Sequence, residues 1–441
     1  MQTQRDHVHA HQFMMGRLGS ALVQGDPASA EIPGQRPLNG LIYGLVAALL
    51  VLGGVAVYGW IVPGGSKAYD KPGLLLVEKE TGNRYIYLGG TLHPVANVTT
   101  ASLLLGTGMS VKLISQNSLR ELPRAPQLGD GRWPQSVTAN RLVVGPWLVC
   151  LSGSSSVGIN LDPAAPAENL PRNRFVVVRG PGKVSYLILD GHKHRVTKDS
   201  VLVALGVSST PGVTAPKAWL NWLPGGADLG PAPIEGYGSA GPKIAGKNRT
   251  VGTLFRQQPS GGAEQFFVLR PDGLAPISPT EFLLAAARGS GPAPIRIEAA
   301  DVVAAKRSAD RTLLDRLPDL TEVSPVEPGG LVLCQRQTPV DESTFRSTIV
   351  YTTPAAAALD SHVIAAPGTG MTVVPPTRGS SFRQPVTYIS ENGVAYPVAD
   401  TDTLRALRLD GTPVPFPPSL LAVLPKGPPL SREAVISTAG K

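Results

Sequence analysis

Only a few residues in this 441-residue chain have the types and spacing that catalysis or ligand binding requires. The segment at 241–248, GPKIAGKN, matches the G-x-x-x-x-G-K pattern of a phosphate-binding P-loop, but it ends in Asn248. A P-loop has serine or threonine at that position to bind magnesium, and a strand leads into it. Here the residues in front, PAPIEGYGSA, have the composition of a connector. The segment is therefore predicted to be an ordinary loop.

Two further groups of residues fall short of a site. Asp360, Ser361 and His362 are adjacent in sequence, whereas a catalytic triad is assembled from separate parts of a chain, and no G-x-S-x-G elbow is present. His192 and His194 could share one strand face as metal ligands, but no cysteine or second histidine pair completes the set. We predict a solvated hairpin there, and neither a catalytic nor a metal site.

The N-terminal arm, residues 1–40, begins with a predicted amphipathic helix that ends near Gly25. Its side chains recur at spacings of three and four, which is one face of a helix: Val8, His11, Met15, Leu18 and Leu22. We expect this face to dock on a protein partner, with a helix lying on lipid as the alternative. His7, His9 and His11 could place two imidazoles at i and i+4, but no third ligand follows, so a solvated surface is predicted.

An uncharged stretch at 41–62, LIYGLVAALLVLGGVAVYGWIV, predicts a transmembrane helix. As a helix it would be about 33 Å long, close to the roughly 30 Å of bilayer hydrocarbon. A cleaved signal peptide would lie nearer the N-terminus and end in a small-residue cleavage site, so an uncleaved anchor is the better interpretation. Gly40, Gly44 and Ala48 recur every four residues and could seat a partner helix, although small residues are common in such helices.

Composition limits the classes of function. The chain has 49 glycines, 43 prolines and only 16% charged residues, which indicates many short elements joined by turns. Its net charge is +8, yet the basic residues are scattered without runs or interleaved aromatics, so no nucleic-acid partner is predicted. Contact with an anionic surface, either membrane or cell wall, fits this charge better.

The two cysteines, Cys150 and Cys334, both follow the span. In an oxidising compartment they would pair, whereas in the cytosol they would be two buried thiols. The positive-inside rule does not decide between these, because Arg36 lies before the span and Lys67 and Lys71 follow it.

Four segments of the chain can be superimposed as repeats, each an aromatic-led strand, a turn, a second strand and a helix. They begin at Tyr85, Tyr186, Phe267 and Tyr388, and their turns contain Gly90, Gly191, Gly273 and Gly393. Each continues to a short helix of pattern L-x-x-L-P, which ends at Pro123, Pro224, Pro318 and Pro425 because proline cannot continue a helix. The glycine-to-proline intervals are 33, 33, 45 and 32 residues, so the third repeat is expected to carry an insertion.

The repeats are separated by two central segments, 124–183 and 319–385, that contain one cysteine each. The chain thus contains twice the same order of segments, a repeat, a central segment and a second repeat, which indicates a tandem duplication. If a pseudo-two-fold axis relates the halves, a disulfide between equivalent positions must lie at or near that axis and would join them.

We therefore predict an α+β, β-rich fold in which a single transmembrane helix precedes a pseudo-two-fold domain with a central β core and four hairpin/helix repeats. The predicted segments are an arm (1–40), the span (41–62), a linker (63–82), repeat 1 (83–123), central segment a (124–183), repeat 2 (184–224), a connector (225–264), repeat 3 (265–318), central segment b (319–385), repeat 4 (386–425) and a tail (426–441). The tail, rich in proline, should wrap over the surface or be mobile.

The chain has an N-terminal Q-R-D-x-V-x-A-H-x-F helix, here QRDHVHAHQF at 4–13, one span after about 40 residues, four repeats and two cysteines. In this combination of features it resembles the EccB family of type VII (ESX) secretion. The resemblance implies a single-pass inner-membrane protein with a cytosolic N-terminus and an elongated, disulfide-containing domain outside. It also implies assembly with an EccC-type ATPase, with EccD and EccE, and with further copies of itself.

In this family the repeats are compared with cell-wall-binding modules of phage lysins, and ATPase activity has been suggested. The leading hypothesis is a structural, non-enzymatic subunit of a secretion complex, without a cofactor, because the sequence has an anchor and a duplicated domain but no catalytic constellation. A cell-wall-binding module and an extracytoplasmic nucleotide hydrolase are the alternatives. The hydrolase has little support from the sequence, because the near-match at 241–248 lacks the hydroxyl ligand.

Overall fold

The computed structural model describes residues 4–25, 35–61, 67–153, 156–207, 213–289, 291–326, 329–341, 344–359, 363–376 and 385–439. The chain divides into two compact units, one of residues 1–94 and 110–127 and the other of residues 95–109 and 128–441. Asp360, Ser361, His362 and Val62, which the sequence singled out, lie outside the described residues.

The described part of the chain contains twelve α-helices. In order they are α1 Gln4–Gln24, α2 Gln35–Ile61, α3 Val98–Leu105, α4 Gln116–Leu119, α5 Asp199–Ala204, α6 Lys217–Asn221, α7 Pro279–Ala286, α8 Ala299–Ala304, α9 Thr312–Asp315, α10 Thr401–Ala406, α11 Pro418–Leu421 and α12 Arg432–Ala439.

The strands are short and numerous, as the glycine and proline content predicts. They are β1 Leu74–Glu78, β2 Arg84–Leu88, β3 Thr91–Pro94, β4 Ser110–Ile114, β5 Trp147–Leu151, β6 Val157–Asn160, β7 Glu168–Asn169, β8 Arg174–Arg179, β9 Ser185–Leu189, β10 His192–Arg195, β11 Val213–Thr214, β12 Leu254–Gln257, β13 Gln265–Arg270, β14 Gly273–Ile277, β15 Ile295–Arg296, β16 Ser324–Pro325, β17 Val332–Pro339, β18 Phe345–Thr352, β19 Val363–Ile364, β20 Met371–Val374, β21 Thr387–Ile389, β22 Ala395–Pro397 and β23 Val414–Pro415. The α+β, strand-rich class is confirmed.

The two N-terminal helices agree with the sequence interpretation. Helix α1 ends at Gly25, whose φ of +71° suits glycine at a helix C-terminus, and whose N–H donates to the Ala21 carbonyl at 3.1 Å. The apolar face of α1 is exposed, with Leu22 at 80%. Within α2, Leu38–Gly59 is long and apolar enough to cross a membrane, and none of it is buried against the described chain.

Each repeat forms a four-stranded sheet of one topology. Three antiparallel strands make a meander, and a fourth strand lies parallel to the first on its outer side. The strand orders are β3-β2-β1-β4, β10-β9-β8-β11, β14-β13-β12-β15 and β22-β21-β20-β23, with β16 added beside β8 in the second.

The sheets begin one strand earlier than the repeat starts expected at 83, 184, 265 and 386. The first strands β1, β8, β12 and β20 lie in stretches that the sequence analysis gave to the linker, the central segments and the connector. They were missed because their sequences, LLLVE, RFVVVR, LFRQ and MTVV, are mostly apolar but have no pattern that is common to all four.

In each repeat a segment that we call the strap follows the short second helix and runs beside the hairpin. At the start of the strap a carbonyl accepts a hydrogen bond from the hairpin's second strand. The donor–acceptor pairs are Leu92 to Pro123, Lys193 to Pro224, Leu274 to Lys306 and Ala395 to Pro425, at 2.7–3.0 Å.

This pairing corrects the third repeat. Lys306 stands where the other repeats have proline, so the interval from Gly273 is 33 residues and the expected insertion before the helix end does not exist. The true second helix is α8, and the L-x-x-L-P match ending at Pro318 instead covers α9. The motif misled because any short apolar helix that stops before a proline satisfies it.

The first helices of the repeats pack in pairs within the larger unit. Helix α3 contacts α10 and α12, while α5 contacts α7. Leu103 of α3 is fully buried in a cluster with Leu404, Leu407 and Val435. The tail is therefore part of the fold as far as residue 439, because α12 packs on α3 and Leu430 bridges to Val398.

Arg316 forms an ion pair within repeat 3 and also bonds to backbone carbonyls that follow repeat 2. The Arg316 Nε lies 2.5 Å from Oε1 of Glu281, a carboxylate only 2% exposed at the start of α7. The same guanidinium donates to the Asp228 carbonyl of the second strap at 3.2 Å and to the Gly230 carbonyl just after that strap at 2.9 Å.

Replacing Arg316 by alanine should lower the free energy of unfolding by about 2–3 kcal/mol, because the buried Glu281 carboxylate would lose its partner. The change is measured by urea unfolding followed by tryptophan fluorescence. Glu281→Gln in the same chain should recover at least half of the loss. Equal stability of Arg316→Ala and the natural chain would contradict this account of the contact.

Candidate functional site

The centre of the larger unit is a six-stranded sheet of order β19-β6-β5-β17-β18-β7. Strands β5 and β17 pair antiparallel, and their register places Cys150 directly opposite Cys334. The two sulfurs form a disulfide across 184 residues of chain, and both cysteines are fully buried. A hairpin partner lies on each side, β6 beside β5 and β18 beside β17. Two equivalent hairpins thus meet at the cysteine pair, where the duplication placed the axis.

All five residues of β5 are buried. Because alternate side chains of a strand point to opposite sides of the sheet, both faces of β5 are covered. Leu148 and Cys150 lie in a small cluster with Cys334 and Val350. Trp147, Val149 and Leu151 instead face the largest apolar cluster of the described chain. The disulfide is therefore shielded by the sheet and by its own cluster.

Repeats 2 and 4 insert their short helices into that largest cluster. Trp219 of α6 is fully buried and donates from Nε1 to the Val149 carbonyl at 2.9 Å, and Gln335 donates from Nε2 to the Trp219 carbonyl at 2.7 Å. From α11, Leu420 enters the same cluster, and Trp222 donates from Nε1 to Ser419 Oγ at 2.7 Å. The L-x-x-L-P helices of these repeats thus form part of the central core.

The near-P-loop segment is a tight β-hairpin. Ile244 and Lys247 exchange backbone hydrogen bonds of 3.0 and 3.1 Å around Ala245 and Gly246, whose φ angles are +51° and +71°. Two central residues with positive φ define a type I′ turn, which is a strand-joining turn. In a P-loop, by contrast, successive N–H groups converge on phosphate ahead of a helix. The prediction of a loop without a phosphate site is consistent with this geometry.

The histidines differ from the expectation of a solvated hairpin. His192 is exposed, but His194 is 6% exposed, with Nδ1 at 3.0 Å from the Ala227 carbonyl of the strap. Its ring lies against Gly226, where even an added Cβ would come within 2.2 Å of it. Burial, with the nearby His192, lowers the pKa of His194, although the bond to Ala227 opposes this. His194 is therefore a packing residue between strand and strap.

Other candidate ligands remain apart. His7, His9 and His11 lie at exposed positions of α1. Within the described ranges, no group of three or more histidine, cysteine or acidic residues is close enough to hold a metal ion. In the span, an added Cβ at Gly40 or Gly44 would meet nothing within 4 Å, and Ala48 is exposed, so the packing of a partner helix on this row stays a prediction.

Sequence reasoning missed the residues that hold the centre together, above all Trp219 and Gln335. The available signal was the two tryptophans of repeat 2, since Trp219 directly precedes the L-x-x-L-P segment at 220–224 and Trp222 lies within it. Gln335 gave no signal, because a glutamine in an alternating strand is usually on the polar face.

The fold and these sites define a class: a protein with one apolar N-terminal helix and a duplicated, disulfide-linked, strand-rich domain. Comparison with known proteins identifies the class further. The family described as type VII secretion system ESX-1, transport TM domain B (EccB) has a sequence model that matches residues 1–440. The chain belongs to this family, and it is a membrane component of type VII secretion.

Named relatives agree with this assignment. The chain is similar to the ESX-1 secretion system ATPase EccB1 of Mycobacterium tuberculosis, at 25% identity over 98% of this chain and 94% of the relative. It is also similar to the ESX-3 secretion system ATPase EccB3 of Mycolicibacterium smegmatis, at 26% identity over 97% of this chain and 89% of the relative.

Two solved structures share the fold. A chain of an intact ESX-5 inner membrane complex matches with a TM-score of 0.62 and 22% identity, over 99% of this chain and 95% of that one. A chain of the EccB3 dimer from the ESX-3 core complex matches with a TM-score of 0.60 and 23% identity, over 82% of this chain and 99% of that one.

The lowered pKa of His194 predicts a pH dependence of stability. Since the unfolded chain binds a proton near pH 6.5 and the folded chain only at lower pH, stability should fall as pH drops below about 6.5. His194→Gln should flatten this slope between pH 7.5 and 5, measured as thermal unfolding midpoints. The matched control, His192→Gln, should keep it. An unchanged slope in His194→Gln would contradict the assignment.

Proposed function

We propose that the protein is a non-catalytic scaffold subunit of a type VII secretion complex, with its arm in the cytosol and its duplicated domain outside the inner membrane. The observation that carries this proposal is the centre of the domain. Its most buried polar residues, Gln335 and Gln337, bond to Trp219 and Trp147 and so support the fold of the core. The disulfide fits an exported domain, since such bonds persist in oxidising compartments.

The proposed partners are an EccC-type ATPase, EccD and EccE membrane subunits, and further copies of the chain. Support comes from the relatives, whose solved structures are of an inner membrane complex and of a dimer. Two exposed surfaces are available for such contacts. One is the small-residue row Gly40, Gly44 and Ala48, where backbones of two helices can approach closely. The other is the apolar face of α1.

The names of the relatives support nucleotide hydrolysis as an alternative function, since they are called ATPases. In this chain, however, Lys247 stands at an exposed type I′ turn, and its N–H donates to the Ile244 carbonyl within the hairpin. Asn248 follows in place of the hydroxyl ligand for magnesium. We therefore assign energy supply to a partner ATPase.

The scaffold proposal is tested by purifying the tagged chain in mild detergent and quantifying co-purified membrane subunits. Leucine at Gly40, Gly44 and Ala48 together should reduce their yield about fivefold or more, because larger side chains keep helices apart. The matched control is Gly53→Leu, which lies on the opposite side of the helix at 3.6 residues per turn. If the natural chain purifies alone, the proposal is wrong.

The orientation is tested in intact cells with a membrane-impermeant maleimide. Lys243→Cys, at the exposed hairpin of the domain, should be labelled, whereas Arg17→Cys in the arm should react only after lysis. In denatured extracts Cys150 and Cys334 should become labelled only after reduction. Labelling of Arg17→Cys in intact cells, or of the native cysteines without reductant, would overturn the proposed orientation.

A further inference from the structure

The third strap is longer than the other three. Each strap ends at a leucine whose carbonyl accepts a hydrogen bond from the residue that follows the hairpin: Ala96 to Leu128, Thr197 to Leu229, Ser278 to Leu313 and Ala399 to Leu430. The strap runs five residues from Pro123, Pro224 or Pro425 to that leucine, but seven from Lys306 to Leu313. Two extra residues therefore lie between the fixed ends of the third strap.

A groove of about 410 Å³ lies between this longer strap and the hairpin β13–β14. Its floor is apolar, with Leu274, Ile277 and Val302 exposed by only 1–8%. Two exposed arginines, Arg307 and Arg311, line it from the strap. This volume is within the usual range of small-molecule sites, which are mostly apolar with a few placed polar groups.

The charge of this groove is unbalanced. Within the ranges that the structure describes, neither the Arg307 nor the Arg311 guanidinium has a hydrogen-bond or ion-pair partner. The nearby carboxylates, in contrast, are engaged: Glu264 with Arg256 at 3.9 Å, Asp310 with Arg270 at 2.7 Å, and Asp272 with Ser308 Oγ at 2.9 Å. Two cations thus face the groove without an anion of their own.

The corresponding cation has a structural partner in the other repeats. Arg124 and Lys426 stand at the strap position of Arg307; Arg124 stacks on Tyr85 at 5.4 Å, and Lys426 donates to the Leu421 carbonyl. In repeat 2, where this position is Gly225, the paired Lys193 donates to the Leu220 carbonyl at 2.6 Å. Among the four repeats, the third is the one in which the cation of the strap, Arg307, has no partner in the described chain and is available to a ligand.

We propose that the third repeat binds a small anionic amphiphile, a carboxylate or phosphate attached to an apolar group. Arg307 and Arg311 would hold the anion by charge-assisted hydrogen bonds, and the apolar group would cover Leu274, Ile277 and Val302. An extended peptide adding to the edge of β14 is disfavoured, because Pro276 has no N–H to donate. The site is independent of the scaffold function and of the proposed partners.

The test uses the full-length chain in phosphatidylcholine nanodiscs and a 12-carbon carboxylic acid with a terminal diazirine as probe. After irradiation, peptide mass spectrometry should locate adducts on β14, α8 or the third strap. Unlabelled dodecanoate and dodecyl phosphate, added separately, show which head group competes better, and competition by either supports the site. Inorganic phosphate at the same concentration should not compete, since it lacks the apolar group.

The Arg307→Gln/Arg311→Gln variant should reduce labelling at the groove about tenfold or more, the loss expected for two charge-assisted contacts. The matched control Arg296→Gln removes an exposed charge of the same repeat outside the groove and should label normally. Unfolding midpoints of both variants should equal that of the natural chain. Absence of groove adducts, equal labelling by the neutral amide of the probe, or unchanged labelling in the double variant would each overturn the proposal.

Discussion

The antiparallel pairing of β5 with β17 is the contact on which the rest of the larger unit depends. It joins two hairpins that are far apart in sequence, and its register brings Cys150 and Cys334 together. In the chain-entropy account, which is disputed, closing a loop of this length stabilises the folded state by roughly 5 kcal/mol. That is comparable with the whole stability of a typical domain. The short helices of repeats 2 and 4 then complete the core beneath the same pairing.

Much of this architecture could be predicted from sequence because strong local signals determine it. The span follows from an uncharged apolar stretch, and the hairpins follow from turn pairs such as Asp190-Gly191 and Asn392-Gly393, which tolerate positive φ. The duplication was visible because the two halves repeat these signals in the same order. The loop at 241–248 was predicted because Asn248 stands where a P-loop has a hydroxyl.

The rest depends on contacts between distant segments, which leave no local signature. The first strands of the sheets are mostly apolar and share no common motif. The third repeat has Lys306 where the other repeats have proline, so its end was wrongly placed at a chance match, Pro318. The burial of His194 depends on the strap glycine Gly226, 32 residues later in the chain. The groove of the third repeat lies beside a strap that is two residues longer than the other three.

The pairing of α3 with α12 has a consequence for biosynthesis. The Arg432 Nε donates to the Leu103 carbonyl at 3.0 Å, across 329 residues of chain. At synthesis rates of roughly 5–20 residues per second, α3 is made on the order of 20–60 s before its partner exists. During that interval the face of α3 that carries Leu103 has no native cover. The larger unit therefore completes its fold only when the C-terminal end has been made, and a truncated chain would expose this face to holding chaperones and proteases.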